Sequence, residues 1–89
     1  MRAVVTVIGR DKKGIIAAVS GCLADAGVNI EDISQTVLQD YFVMIMLVDI
    51  RASELKIAEI AEKLDAAAKE IGVSICIQHE DIFNSMHKL

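Results

Sequence analysis

Aromatic side chains are scarce in this chain: tryptophan is absent, and one tyrosine and two phenylalanines make up 3% of the 89 residues. A surface that stacks bases needs several such rings, so nucleic-acid binding is disfavoured. The charge balance points the same way, because a formal net charge of −4 offers no general attraction to phosphate backbones. Cysteine is equally sparse. Cys22 and Cys76 stand far apart and outside any CxxC or Cys/His metal spacing, which leaves them as two small apolar thiols and implies neither metal nor cofactor. The longest apolar stretch, Tyr41 to Val48, is far shorter than the roughly 20 residues a spanning helix requires. No N-terminal run joins a basic start, a long apolar middle and a small-residue cleavage site. A cytoplasmic protein with no membrane partner is therefore expected.

What the chain has in quantity is aliphatic. Hydrophobic residues reach 54%, so the core must be built from Val, Ile, Leu, Ala and Met, as in a sheet with helices packed on it. One domain of this size buries roughly 60–65% of its unfolded surface and is only marginally stable alone, so pairing with a second copy is a natural remedy.

The order of elements is legible from periodicity. Arg2 to Ile8 is a β-rich run, followed by a loop from Gly9 to Gly14. Ile15, Val19, Cys22, Leu23 and Ala26 then fall at helical spacing, with Gly27 placed for a left-handed C-cap. Val28 to Gln39 and Phe42 to Ile50 read as a hairpin turning at Asp40. Ser53 and Glu54 suit the start of a second helix with Ile57, Ile60, Ala61, Leu64, Ala68 and Ile71 as its buried stripe and Gly72 as its stop. The capping box is incomplete there, since Lys56 stands where Glu or Gln belongs. Val73, Ile75 and Ile77 alternate with Ser74, Cys76 and Gln78 to give a fourth strand.

The resulting order, βαββαβ, predicts an α+β, ferredoxin-like two-layer sandwich over residues 1–79, with an antiparallel sheet in strand order 4132. Strands one and three are the most continuously apolar and belong in the centre; strands two and four are the most polar and belong at the edges. Strand three is apolar on both faces, so a two-layer sandwich leaves apolar side chains on the face without helices. Two covers are expected: a second copy, burying residues such as Met44, Met46 or Val4, and residues 80–89 as an amphipathic helix. Ile82, Phe83, Met86 and Leu89 form its stripe, Glu80 and Asp81 its acidic first turn, and Lys88 its basic end.

The candidate site is the loop Gly9-Arg10-Asp11-Lys12-Lys13-Gly14 where it enters the first helix at Ile15. The free N–H groups of a helix start, with Arg10 and two lysines nearby, suit a small anion such as a carboxylate. Plainer roles exist for each residue. Asp11 can cap the helix, worth about 1 kcal/mol, Gly14 can serve close packing or an unusual φ, Asn29 can satisfy backbone groups where the second strand begins, and Lys12 and Lys13 can be solvated. His79 and His87 are isolated and read as surface residues.

The stretch Asp11-Lys12-Lys13-Gly14-Ile15, then Leu23, then Gly27-Val28-Asn29-Ile30 resembles the ACT domain, a small ligand-sensing module of amino-acid metabolism, across roughly Arg2 to Gln78. The likeness is closest to stand-alone single-domain ACT proteins and to the N-terminal ACT segments of formyltetrahydrofolate deformylase and the glycine-cleavage repressor, through Asn29 to Gln35. The resemblance implies a non-catalytic regulatory homodimer. It also implies a metabolite site, such as one for an amino acid, where the first loop of one protomer meets the second-strand region of a neighbour. Carried over, the site residues are Arg10, Asp11, Gly14, Ile15, Asn29 and Ile30. Lys13 replaces a proline often found before this glycine, which makes the first helical turn less preset. Two other readings compete. One is a subunit that binds only a regulated protein partner. The other is an acylphosphatase-like enzyme using Arg10 and Asn29, although its glycine-rich cradle and any catalytic pairing are missing.

Overall fold

The computed structural model describes residues 2–10 and 14–86. Seven elements follow one another: β1 (Arg2–Arg10), α1 (Ile15–Asp25), β2 (Asn29–Leu38), β3 (Tyr41–Asp49), α2 (Ile57–Ile71), β4 (Ser74–His79) and α3 (Glu80–Met86). They build a ferredoxin-like sandwich whose single antiparallel sheet runs β2-β3-β1-β4. The order follows from hydropathy: the two apolar strands lie inside and the two alternating strands take the edges, where one row of backbone groups stays open to solvent.

The core fills the space between sheet and helices. Ala3, Val5 and Val7 of β1 and Phe42, Met44, Met46 and Val48 of β3 meet Ile15, Val19 and Leu23 of α1 and Ile60, Leu64 and Ala68 of α2, all buried. Met44 and Met46 are thus sealed by the chain's own helices, and a second copy cannot bury them as expected from sequence. Their period-two partners Tyr41, Ile45, Leu47 and Asp49 point to the opposite, open face, in register with Arg10, Thr6, Val4 and Arg2 of β1.

Both helices end as their glycines dictate. At the end of α1 the Val28 N–H reaches the Leu23 carbonyl at 2.9 Å and the Gly27 N–H reaches Ala24 at 3.0 Å, a Schellman closure with Gly27 at φ 75°. This closure consumes Val28, so β2 starts one residue later than expected. It ends before Gln39, which takes φ 55° in the turn. The second helix also departs from expectation: it starts at Ile57, one turn beyond Ser53. The Ser53 hydroxyl donates to the Ala26 carbonyl and accepts the Leu55 N–H at 3.1 Å, so it ties the end of α1 to the connection rather than capping α2. The cap is formed by Glu59, whose carboxylate accepts the Lys56 N–H at 3.1 Å, half of a capping box set three residues downstream.

The C-terminal segment is helical from Glu80 to Met86; the expected roles of Lys88 and Leu89 lie outside the described residues, as does the Met86 side chain. This short helix packs on β1 and β4 and makes no contact with α1 or α2, so it covers the open face. Arg2 grips it through a bidentate pair to Glu80 at 2.7 and 3.0 Å, and the pairing raises the Arg2 pKa. Next to Arg2 on that face Val4 is only 6% exposed, whereas Ile8, beyond the reach of α3, is 46% exposed. Phe83 is half-buried, but Ile82, expected on the same buried stripe, is 55% exposed. A chain truncated after His79 is expected to uncover Val4 and lose about 1 kcal/mol or more, a drop of about 4–8 °C or more in melting temperature. A thermal melt followed by circular dichroism checks this, and an unchanged midpoint counts against a structural role for α3.

Candidate functional site

The first loop and the start of β2 lie at opposite ends of one chain's sheet. Arg10 is opposite Tyr41, which pairs with Leu38, whereas Asn29 pairs with Asp49, opposite Arg2. Eight residues of β3 separate the two rows, about 26 Å at 3.3 Å per residue. Within a single chain Arg10 and Gly14 therefore do not meet Asn29 and Ile30. The acylphosphatase-like pairing of Arg10 with Asn29 is likewise not assembled.

Near Asn29 the corner is occupied by charge. Arg2, Glu31, Asp49, Arg51 and Glu80 surround a notch of about 320 Å³, and both guanidinium groups are already engaged. Arg51 donates to both Asp49 oxygens at 2.7–3.1 Å, and its backbone N–H adds a bond of 2.9 Å. These hydrogen bonds hold the Asp49 carboxyl at about 2, below its ordinary 3.8. Three carboxylates against two committed arginines give this notch no surplus positive charge for an anion. Glu31 reaches it because β2 bulges there: Ile30 pairs with Val48 and Asp32 with Leu47, leaving Glu31 as the extra residue.

The other end has a different character. Gly14 is the N-cap of α1 at φ 85°, and a Cβ there would meet nothing within 4 Å. Its glycine is required by the left-handed backbone and not by close packing. The helix starts with the Ala18 N–H to Gly14 carbonyl bond of 2.9 Å, so the N–H groups of Ile15, Ile16 and Ala17 have no intrahelical partner. Gly14 supplies no side-chain cap, and the first turn carries no acidic residue. The expected roles of Asp11, Lys12 and Lys13 lie outside the described residues.

Next to this helix start a groove of about 740 Å³ runs to the edge of the sheet, lined by Gly14, Ile15, Ile16, Ala17, Ser20, Gln35, Val37 and Phe42. Gln35 and Val37 point to the helix side because they pair with the buried Met44 and Phe42. The groove thus combines an apolar floor, free helix N–H groups and two polar side chains, Ser20 and Gln35, a composition that suits a small ligand with one anionic and one apolar end. Gln35, Val37 and Phe42 were not among the residues singled out from sequence. Their signal is the alternation of the second strand, which puts Val37 two residues from Gln35 and hence on the same face.

With this geometry in place, comparison with known proteins is decisive. The profile of the ACT domain matches residues 2–78. The chain belongs to the ACT domain family. A UPF0237 protein of Clostridium acetobutylicum is 53% identical over 89 residues, covering 100% of both chains. An ACT domain protein from Streptococcus pneumoniae superimposes with a TM-score of 0.83 at 41% identity, covering 98% of each chain. A formyltetrahydrofolate deformylase from Pseudomonas syringae shares the fold, with a TM-score of 0.79 at 22% identity over 88% of this chain and 27% of its own. The likeness of this ACT domain to deformylase segments is therefore one of fold. Among the described residues no three His, Cys, Asp or Glu side chains gather to hold a metal, and no helix is long and apolar enough to cross a membrane.

Proposed function

We propose that this ACT domain is a non-catalytic regulatory module that pairs with a second copy along β2 and senses a small carboxylate-bearing metabolite such as an amino acid. The groove between the start of α1 and the β2 edge carries this reading. It is open along β2, a ten-residue edge strand whose side chains are nearly all exposed, including Val37 at 57%. Such an edge is a ready template for another strand. If two β2 strands pair antiparallel about a two-fold axis, the Leu38 end of one lies beside the Asn29 end of the other. The partner's start of β2 is then brought to the groove. This arrangement unites Arg10, Gly14 and Ile15 of one protomer with Asn29 and Ile30 of its partner, which one chain keeps apart.

Each group has a defined task in that complex. The free N–H groups at Ile15 and Ile16 hold the carboxylate and Gln35 offers donor and acceptor together for discrimination. Arg10 and the partner's Asn29, which their pairing opposite Tyr41 and Asp49 turns to the open face, flank the site from the other side of the sheet. The test is a thermal-shift screen of amino acids, folates and nucleotides against the purified chain. A ligand present at ~100 times its dissociation constant adds about 2.7 kcal/mol of stability. A hit whose affinity falls tenfold or more in Gln35→Leu supports the groove, and a further loss in Asn29→Ala supports the partner's share of the site. A hit indifferent to both substitutions in folded protein places the ligand elsewhere.

A further inference from the structure

The open face of the sheet is stepped. At the Arg2 end α3 lies across β1 and β4 as a raised ridge, anchored by the Arg2–Glu80 pair. At the Arg10 end the sheet is bare and apolar, with Ile8, Tyr41 and Ile45 exposed beside the exposed Arg10. The outer surface of the ridge carries its own exposed apolar residue, Ile82, and next to it Asp81, whose carboxylate is largely in solvent. Ridge and bare half are therefore matched twice over, Ile82 to Ile8 and Ile45 in apolarity and Asp81 to Arg10 in charge. Both halves belong to the same chain.

We propose that this face docks a second copy of the chain, sheet against sheet, about a two-fold axis lying across the strands. That operation reverses the strand direction and lays the ridge of each copy on the bare half of the other. Ile82 then seats on the partner subunit's Ile8 and Asp81 faces the partner subunit's Arg10. The contact is isologous, so each pairing occurs twice. A peptide or unrelated protein would satisfy only the apolar half of this description. Self-association uses both the step and the charge placement. The face is separate from the β2 edge and does not depend on the ligand reading. An edge two-fold normal to the sheet and a face two-fold in its plane are perpendicular, and where they cross they close a four-chain assembly.

The experiment is a pair of interface variants weighed by light scattering at tens of micromolar. Wild type is expected at the mass of four chains. Ile82→Asp, which opens only the face, and Val37→Lys, which opens only the edge, are each expected at two, and the double variant at one. Ile45→Asp gives a second probe of the face if Ile82→Asp perturbs α3, with native circular dichroism confirming the fold. Arg10→Asp alone is expected to shift the dissociation midpoint to at least tenfold higher protein concentration, and Arg10→Asp with Asp81→Arg to restore it. The single tyrosine, Tyr41, supplies an independent readout, since its quenching by iodide should rise on dilution through that midpoint. An unchanged mass in both Ile82→Asp and Ile45→Asp, a wild type without the face contact, or failure of the charge swap to rescue overturns the proposal. If Val37→Lys leaves the mass unchanged while Ile82→Asp halves it, the face stands and the β2-edge reading fails.

Discussion

Met46→Ala is expected to lower the melting temperature by about 12–24 °C. Met46 is fully buried between the sheet and both helices, at 0% exposure. Truncation of a long core side chain removes its transfer free energy and leaves a cavity, a combined cost of roughly 2–5 kcal/mol. For a domain of this size each kcal/mol corresponds to about 4–8 °C, so a loss of about 3 kcal/mol gives the stated shift. Ile45→Ala, one residue earlier on the same strand but on the open face, is the control. It is expected to cost under about 1 kcal/mol in dilute protein, because Ile45 is 41% exposed before any change. Thermal melts at low concentration compare the two. Equal shifts would mean that β3 does not present Met46 to the helices.

A second large effect is expected at Gly9. Its backbone is ordinary β1, paired with Phe42, so the need for glycine is one of space. An added Cβ would sit 2.5 Å from the Val73 Cγ1 and 3.0 Å from its Cβ. Val73 is β-branched and packed against the core, so it has little room to turn away. Gly9→Ala is expected to cost about 1–3 kcal/mol, in the range of overpacked cores. Val73→Ala in the same chain removes the colliding methyl groups, and the pair should then show a favourable coupling of about 1 kcal/mol or more in urea denaturation. Simple additivity of the two single substitutions would show that the clash is not the cause.

Much of the fold was legible because its signals are local. Gly27 and Gly72 end their helices through left-handed conformations that other residues enter only at a cost, and both sit at φ 75°. The strand order could be inferred because apolarity on both faces requires a central place. The start of α2 was misread for an equally physical reason. Ser53 has the chemistry of a cap, but its hydroxyl is taken by the Ala26 carbonyl, 27 residues away in sequence, and a local pattern carries no record of that partner. Glu59 caps the helix in its place.

The candidate site divides along the same line. Gly14 and Ile15 could be found because a loop entering a helix advertises free N–H groups wherever the helix lies. Gln35, Val37 and Phe42 could not, since their meeting with α1 depends on which face of β2 the pairing with β3 turns toward the helices. The family resemblance places Asn29 and Ile30 beside the first loop of a neighbouring protomer, and the antiparallel register keeps them about 26 Å from the loop of their own chain. Alternation, helical period and the two stop glycines determined the element order, the helix ends and the central and edge strands, and the residues from Asp11 to Ile15, Leu23 and Gly27 to Ile30 carried the resemblance to the ACT family, since each is written in residues close along the chain. Only the tertiary structure decided which apolar face is sealed by the helices, which half of the other face α3 covers, and which polar groups become neighbours. Those outcomes depend on strand register and on contacts between residues distant in sequence, which local periodicity does not encode.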